Sequence, residues 1–248
     1  MYGMCGMQER TCVRLPPIPR RPLTGLTGRR IPTNLLGMLR RYAFTWCYLG
    51  IYVVTEIVYA ALSPSAQNTL SVWASTSVAN LEHDPVLTLV VSAFVGQGDY
   101  LAWPVLIALA LFGANHALGN LRTLAICLAG NVIGSLVSEG TVAYRVDAGQ
   151  LPVSYRHLTD VGPSYVVMAA IVVALLCGGW LARAAAALDL AVLVFIGNIF
   201  GGFSSLEVAA VGHLVSAVTA AACVGYLLVR RRRTVPARVP EPVPQEQG

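Results

Sequence analysis

Asp160-Val161-Gly162-Pro163-Ser164-Tyr165 stands at the head of an apolar run that carries no charged residue until Arg183. Reading residues 162–181 as one helix gives the ~20 residues that a bilayer requires. A second stretch, Glu207-Val208-Ala209-Ala210-Val211-Gly212-His213-Leu214, opens the last apolar run in the same way. Each stretch places one reactive side chain, Ser164 or His213, just inside its run. The fold follows from deciding whether these two runs begin on the same side of a membrane.

Composition supports the membrane reading. The 248 residues are 56% hydrophobic and only 12% charged, where a soluble domain carries about 25% charged residues. The expected fold class is therefore all-α, a polytopic membrane bundle, with one helical domain over residues 42–229. The net charge of +5 comes entirely from arginine, since the sequence has no lysine. In a soluble protein that charge would suggest nucleic acid. Here the arginines cluster at the two ends of the apolar region, which points to orientation in the bilayer and not to a nucleic-acid partner.

Residues 1–41 are polar, rich in Pro and Gly, and hold eight of the arginines. They contain no apolar core of a secretory signal and read as a disordered basic cytoplasmic arm. Residues 230–248 begin with Arg230-Arg231-Arg232-Arg233 and read as a basic, then disordered, tail. Cys5, Cys12, Cys47, Cys127, Cys177 and Cys223 form no CxxC pair, so no disulfide framework, metal site or cofactor is expected.

Six spans are read from the apolar runs: 43–62, 100–112 extending toward Leu118, 124–142, 162–181, 184–200 and 208–229. Residues 63–85 read as a polar loop. The run 85–95 is too short to span and reads as a half-inserted segment. Arginine-rich flanks stay in the cytoplasm, so both termini are expected there, and an even number of spans follows. Spans four and six then both enter from outside. Ser164 lies four residues after Asp160, about 6 Å along a helix, and His213 lies six after Glu207, about 9 Å. The two side chains are expected at one depth, with His213, Ala217, Ala221 and Gly225 forming a small-residue face toward span four.

These features together resemble the rhomboid family of intramembrane serine proteases over about residues 43–229. The residues that carry the resemblance are Gly162-Pro163-Ser164 opening span four and Gly212-His213-Leu214 opening span six, followed by small residues and Gly225-Tyr226. The resemblance implies Ser164 as nucleophile, His213 as its general base, and Gly162 with Pro163 shaping the turn that presents the serine. It also implies a polar cavity opening outward and a transmembrane protein substrate in the cell membrane. This sequence has Tyr165 where the family has a glycine after the serine. It has neither His nor Asn in Asp99-Tyr100-Leu101-Ala102-Trp103-Pro104, where the family places both. His116 and Asn120 have the spacing of that pair but fall on the expected cytoplasmic turn.

Two other readings stand beside the peptidase. One is a catalytically inactive rhomboid-fold protein that binds membrane clients. The other is a small transporter or channel using Glu56, Asp189 and His213 as a polar path, because intramembrane ionisable groups are commonly functional.

Overall fold

The computed structural model describes residues 34–98 and 100–234, and ten α-helices form among them. In chain order these are α1 (Leu35–Arg41), α2 (Ala43–Ala61), α3 (Pro64–Ala74), α4 (Val78–His83), α5 (Pro85–Val91), α6 (Ala102–Leu118), α7 (Asn120–Asp147), α8 (Ser164–Cys177), α9 (Trp180–Phe195) and α10 (Val208–Thr234).

The core forms around α8. Its sequence SYVVMAAIVVALLC is apolar on every side, as suits a helix surrounded by other helices or by lipid. Helices α6, α7, α9 and α10 pack against it, and α2 packs against α6 and α7. Tyr165, Val167, Met168, Ile171 and Ala174 are all buried. The break at Gly178-Gly179 ends α8 and starts α9 at Trp180, earlier than the expected start at residue 184.

Helices α2, α7 and α10 are each long and apolar enough to cross a membrane. Helices α6, α8 and α9 are shorter, at 17, 14 and 16 residues. The long helices turn apolar side chains outward, among them Val54, Ile57 and Val58 of α2, Leu136 of α7 and Val218 of α10. Such outward faces suit lipid rather than water. The chain is a multi-pass helical membrane protein.

Between α2 and α6 the structure differs from the expected polar loop. Residues 64–74 and 78–83 are helical, and each helix starts at a serine cap. Ser63 accepts from Ala66 N ahead of Pro64, and Ser77 accepts from Asn80 N. Pro at the first helical position and a hydroxyl before it are helix-start signals. The run 85–95 becomes the short helix α5 and one tight turn, Ser92–Phe94.

The arm expected to be disordered up to residue 41 is helical from Leu35, where Asn34 accepts a hydrogen bond from Gly37 N and caps α1. The rest of that arm, residues 1–33, and the tail beyond Thr234 lie outside the described residues.

The two ends of the bundle differ in charge. At one end the start of α2 meets the α6–α7 turn. His116 Nδ1 pairs with the Tyr42 hydroxyl at 2.9 Å and Arg41 at 3.4 Å. Asn120 donates to Arg40 O and accepts from Phe44 N and Asn115 Nδ2. His116 and Asn120 thus fasten two helix ends together. At the other end Arg156 bridges Glu82 and Asp147, at 2.8 and 2.9 Å.

Candidate functional site

The site grows from the turn ahead of α8. Gly162 has φ +138°, and a Cβ there would meet nothing within 4 Å, so backbone conformation and not space calls for glycine. Its N–H donates to Ser92 O at 2.9 Å. Pro163 follows, and Ser164 is the first residue of α8. The loop before the turn is held by the α3–α4 connection. Ser75 Oγ accepts from Asp160 N at 2.8 Å, and Thr76 donates to Asp160 O through both its N–H and its hydroxyl.

Asp160 faces α8. Its Oδ2 accepts from the Tyr165 hydroxyl at 3.0 Å and from Thr76 Oγ1 at 3.3 Å. Burial pushes this carboxyl above the usual aspartate range, and the hydrogen bonds from Tyr165 and Thr76 oppose that push. Buried Glu139 of α7 lies close enough to Asp160 and Tyr165 to interact with both electrostatically.

Tyr165 occupies the space between α8 and α10. It is buried, and its ring stands edge-on to the His213 imidazole at 5.0 Å between centroids. The approach depends on Gly212, where any Cβ would collide with the tyrosine ring. Below it, Ser216 Oγ donates to Tyr165 O at 2.7 Å. Gly212, His213, Ser216, Ala220 and Val224 are the buried face of α10. The face expected from His213, Ala217, Ala221 and Gly225 is one residue out of register, and Ala221 is exposed.

His213 Nδ1 lies 3.0 Å from Ile199 O. A carbonyl can only accept, so Nδ1 carries the proton and Nε2 presents a lone pair in the neutral ring. Nε2 is buried and has no hydrogen-bond partner among the described residues. Ser164 is half-buried and no hydrogen bond joins it to His213. The structure brings both residues to the same end of the bundle, on the adjoining helices α8 and α10, with the rings of Tyr165 and, at 6.4 Å, Phe200 edge-on to the imidazole.

The other singled-out residues lie elsewhere. Glu56 accepts from Gly96 N at 2.6 Å and Gly98 N at 3.3 Å, so it ties α2 to the loop after α5. Asp189 is fully buried on α9, beside Ala186 and Leu193, and neither carboxylate oxygen has a hydrogen-bond partner among the described residues. Sequence reasoning singled out neither Asp160 nor Tyr165 as a partner in the site. A signal was present, because a tyrosine inside an apolar run needs a mate for its hydroxyl, and Asp160 is the nearest acid.

Fold and site together define a multi-pass helical membrane protein with Ser164, Tyr165, His213 and Asp160 gathered at one end, Tyr165 and His213 buried and the other two half-buried. The chain belongs to the rhomboid-like protein family, whose model matches residues 37–235. No curated protein and no solved structure matches the chain.

Proposed function

We propose that this rhomboid-like protein is an intramembrane serine peptidase with Ser164 as nucleophile and His213 as general base. The observation that carries the reading is the state of His213. Its Nδ1 proton is held by a backbone carbonyl, which leaves Nε2 as the free base, and a serine nucleophile requires that tautomer. The imidazole takes the hydroxyl proton as Oγ attacks a peptide carbonyl, then returns it to the leaving amine. The first-turn N–H groups of α8, at Ser164 and Tyr165, have no carbonyl four residues back within the helix and suit the developing oxyanion. His116 and Asn120 take no part, being engaged at the opposite end of the bundle. Six spans with both termini in the cytoplasm belong to the same reading, with the cluster at the outer end and a transmembrane segment as substrate.

A second reading has its own observation. Tyr165, not Ser164, contacts the His213 ring, which favours a rhomboid-like protein that binds membrane clients without cleaving them. A transporter path is less well supported, since Glu56 is engaged by loop amides.

The test is covalent. A fluorophosphonate probe should label the full-length protein in membranes and fail to label Ser164→Ala or His213→Ala. Cleavage of a transmembrane peptide should vanish in both variants. Equal labelling of wild type and Ser164→Ala removes the serine as nucleophile. No labelling of a folded wild type leaves the client-binding reading.

A further inference from the structure

The arginine-rich end of the bundle holds a groove that the serine and histidine do not use. Helices α7 and α10 touch closely along their middles. A Cβ on Gly130 would lie 2.8 Å from Ser216 Oγ, and one on Gly134 would lie 3.1 Å from Gly212 O. Toward the start of α7 the two helices leave a cavity of about 430 Å³, within the size range of ~300–1,000 Å³ typical of small-ligand sites. Arg122, Ala125 and Ile126 form one wall, and Ala222, Tyr226 and Leu227 form the other.

Arg122 is the only charged residue lining this groove. It is exposed, and the ion pairs among the described residues are both made by Arg156 at the far end. Arg122 therefore sits at the mouth of an apolar slot without a carboxylate. Tyr226 stands across from it, 63% exposed, and the arginine run begins at Arg230, one turn further along α10. Arg40 and Arg41 lie at the same end, on the elements that meet the α6–α7 turn.

We propose that this groove binds one anionic phospholipid. An acyl chain lies between Ile126 and Leu227, the phosphate pairs with Arg122, and Tyr226 covers the interfacial region of the lipid. The charge argument selects the occupant. A guanidinium offers a planar fork that matches phosphate, and basic pockets between transmembrane helices recognise acidic headgroups. A zwitterionic lipid fills the same slot with apolar contacts alone.

The test uses the full chain in vesicles of equal phosphatidylglycerol and phosphatidylcholine, with Tyr226→Trp as reporter. Either lipid is dibrominated in turn, and the quenching of the four native tryptophans is subtracted using the unsubstituted protein. Dibromo-phosphatidylglycerol is expected to occupy the reporter's neighbourhood about fivefold more than dibromo-phosphatidylcholine, the preference that one basic group supplies. Adding Arg122→Gln should bring the ratio to about one. Adding Ala222→Leu instead, which fills the slot and keeps the arginine, should lower quenching by both lipids. Equal quenching by the two lipids in Tyr226→Trp overturns the proposal, whether or not the double variants fold. So does a preference that survives Arg122→Gln. Weak quenching by both lipids in Tyr226→Trp means the slot is filled by something else, such as the acidic tail with Glu241 and Glu246, and overturns it equally.

Discussion

The Tyr165 ring stands edge-on to the His213 imidazole, with 5.0 Å between centroids and 78° between planes. The contact joins the central helix to the last one and depends on a glycine beside the histidine. Geometry that tight is testable without any substrate.

Gly212→Ala should destabilise the protein by about 1–3 kcal/mol, as overpacking does, because its methyl group enters the Tyr165 ring. Gly225→Ala on the same helix meets nothing and should be neutral or stabilising by up to about 1 kcal/mol through helix propensity. Thermal unfolding in detergent compares the two. Equal melting temperatures would mean that the α8–α10 contact is looser than described.

Asp160 gives a pH dependence. Its folded pKa is raised, so the fold favours the protonated carboxyl. The stability this contributes is complete below the ordinary aspartate pKa of about 3.9 and is lost as pH rises through the folded pKa. Asp160→Asn keeps an acceptor for Tyr165 and Thr76 but cannot ionise. Its melting temperature should fall less than that of the wild type as pH rises above about 3.9. Parallel curves for the two proteins would exclude Asp160 as the titrating group.

Asn120→Ala removes the side chain that joins Arg40 O, Phe44 N and Asn115. It should cost about 1–3 kcal/mol and leave fluorophosphonate labelling per folded molecule unchanged. A selective loss of labelling with stability intact would instead place Asn120 in the chemistry.

Asp189→Val should stabilise the bundle by about 1–3 kcal/mol, since it removes a buried carboxyl whose oxygens have no hydrogen-bond partner among the described residues. Urea or thermal unfolding reads this directly. A less stable variant would show that the carboxyl has a partner that the fold needs.

Much of the bundle was legible because long apolar runs leave little choice. The ends of α2 and the starts of α8 and α10 fell within about two residues of their expected places. The short helices α3 and α4 were hidden by their serines and asparagines, which read as loop until their capping positions are recognised. The buried face of α10 lies one residue from the expected one because two small-residue series run side by side. Gly212, Ser216 and Ala220 form a second series of small residues with the same spacing one position earlier, and spacing alone does not choose between the two. Tyr165 was seen as the neighbour of Ser164, but its pairing with Asp160 and His213 depends on how α8 is rotated, and a helix apolar on every side carries no periodicity to fix that.

Helix α8 has 14 residues and is therefore about 21 Å long, against a hydrocarbon thickness of about 30 Å. In the six-span arrangement proposed above, the shortfall, nearly a third of the membrane, is made up at its two ends. At the Ser164 end Asp160, Thr76 and Ser75 form a hydrogen-bonded polar cap ahead of the helix. On the peptidase proposal, a substrate peptide bond has to leave its own helix to meet that cap, so segments whose helices fray readily should be cut first.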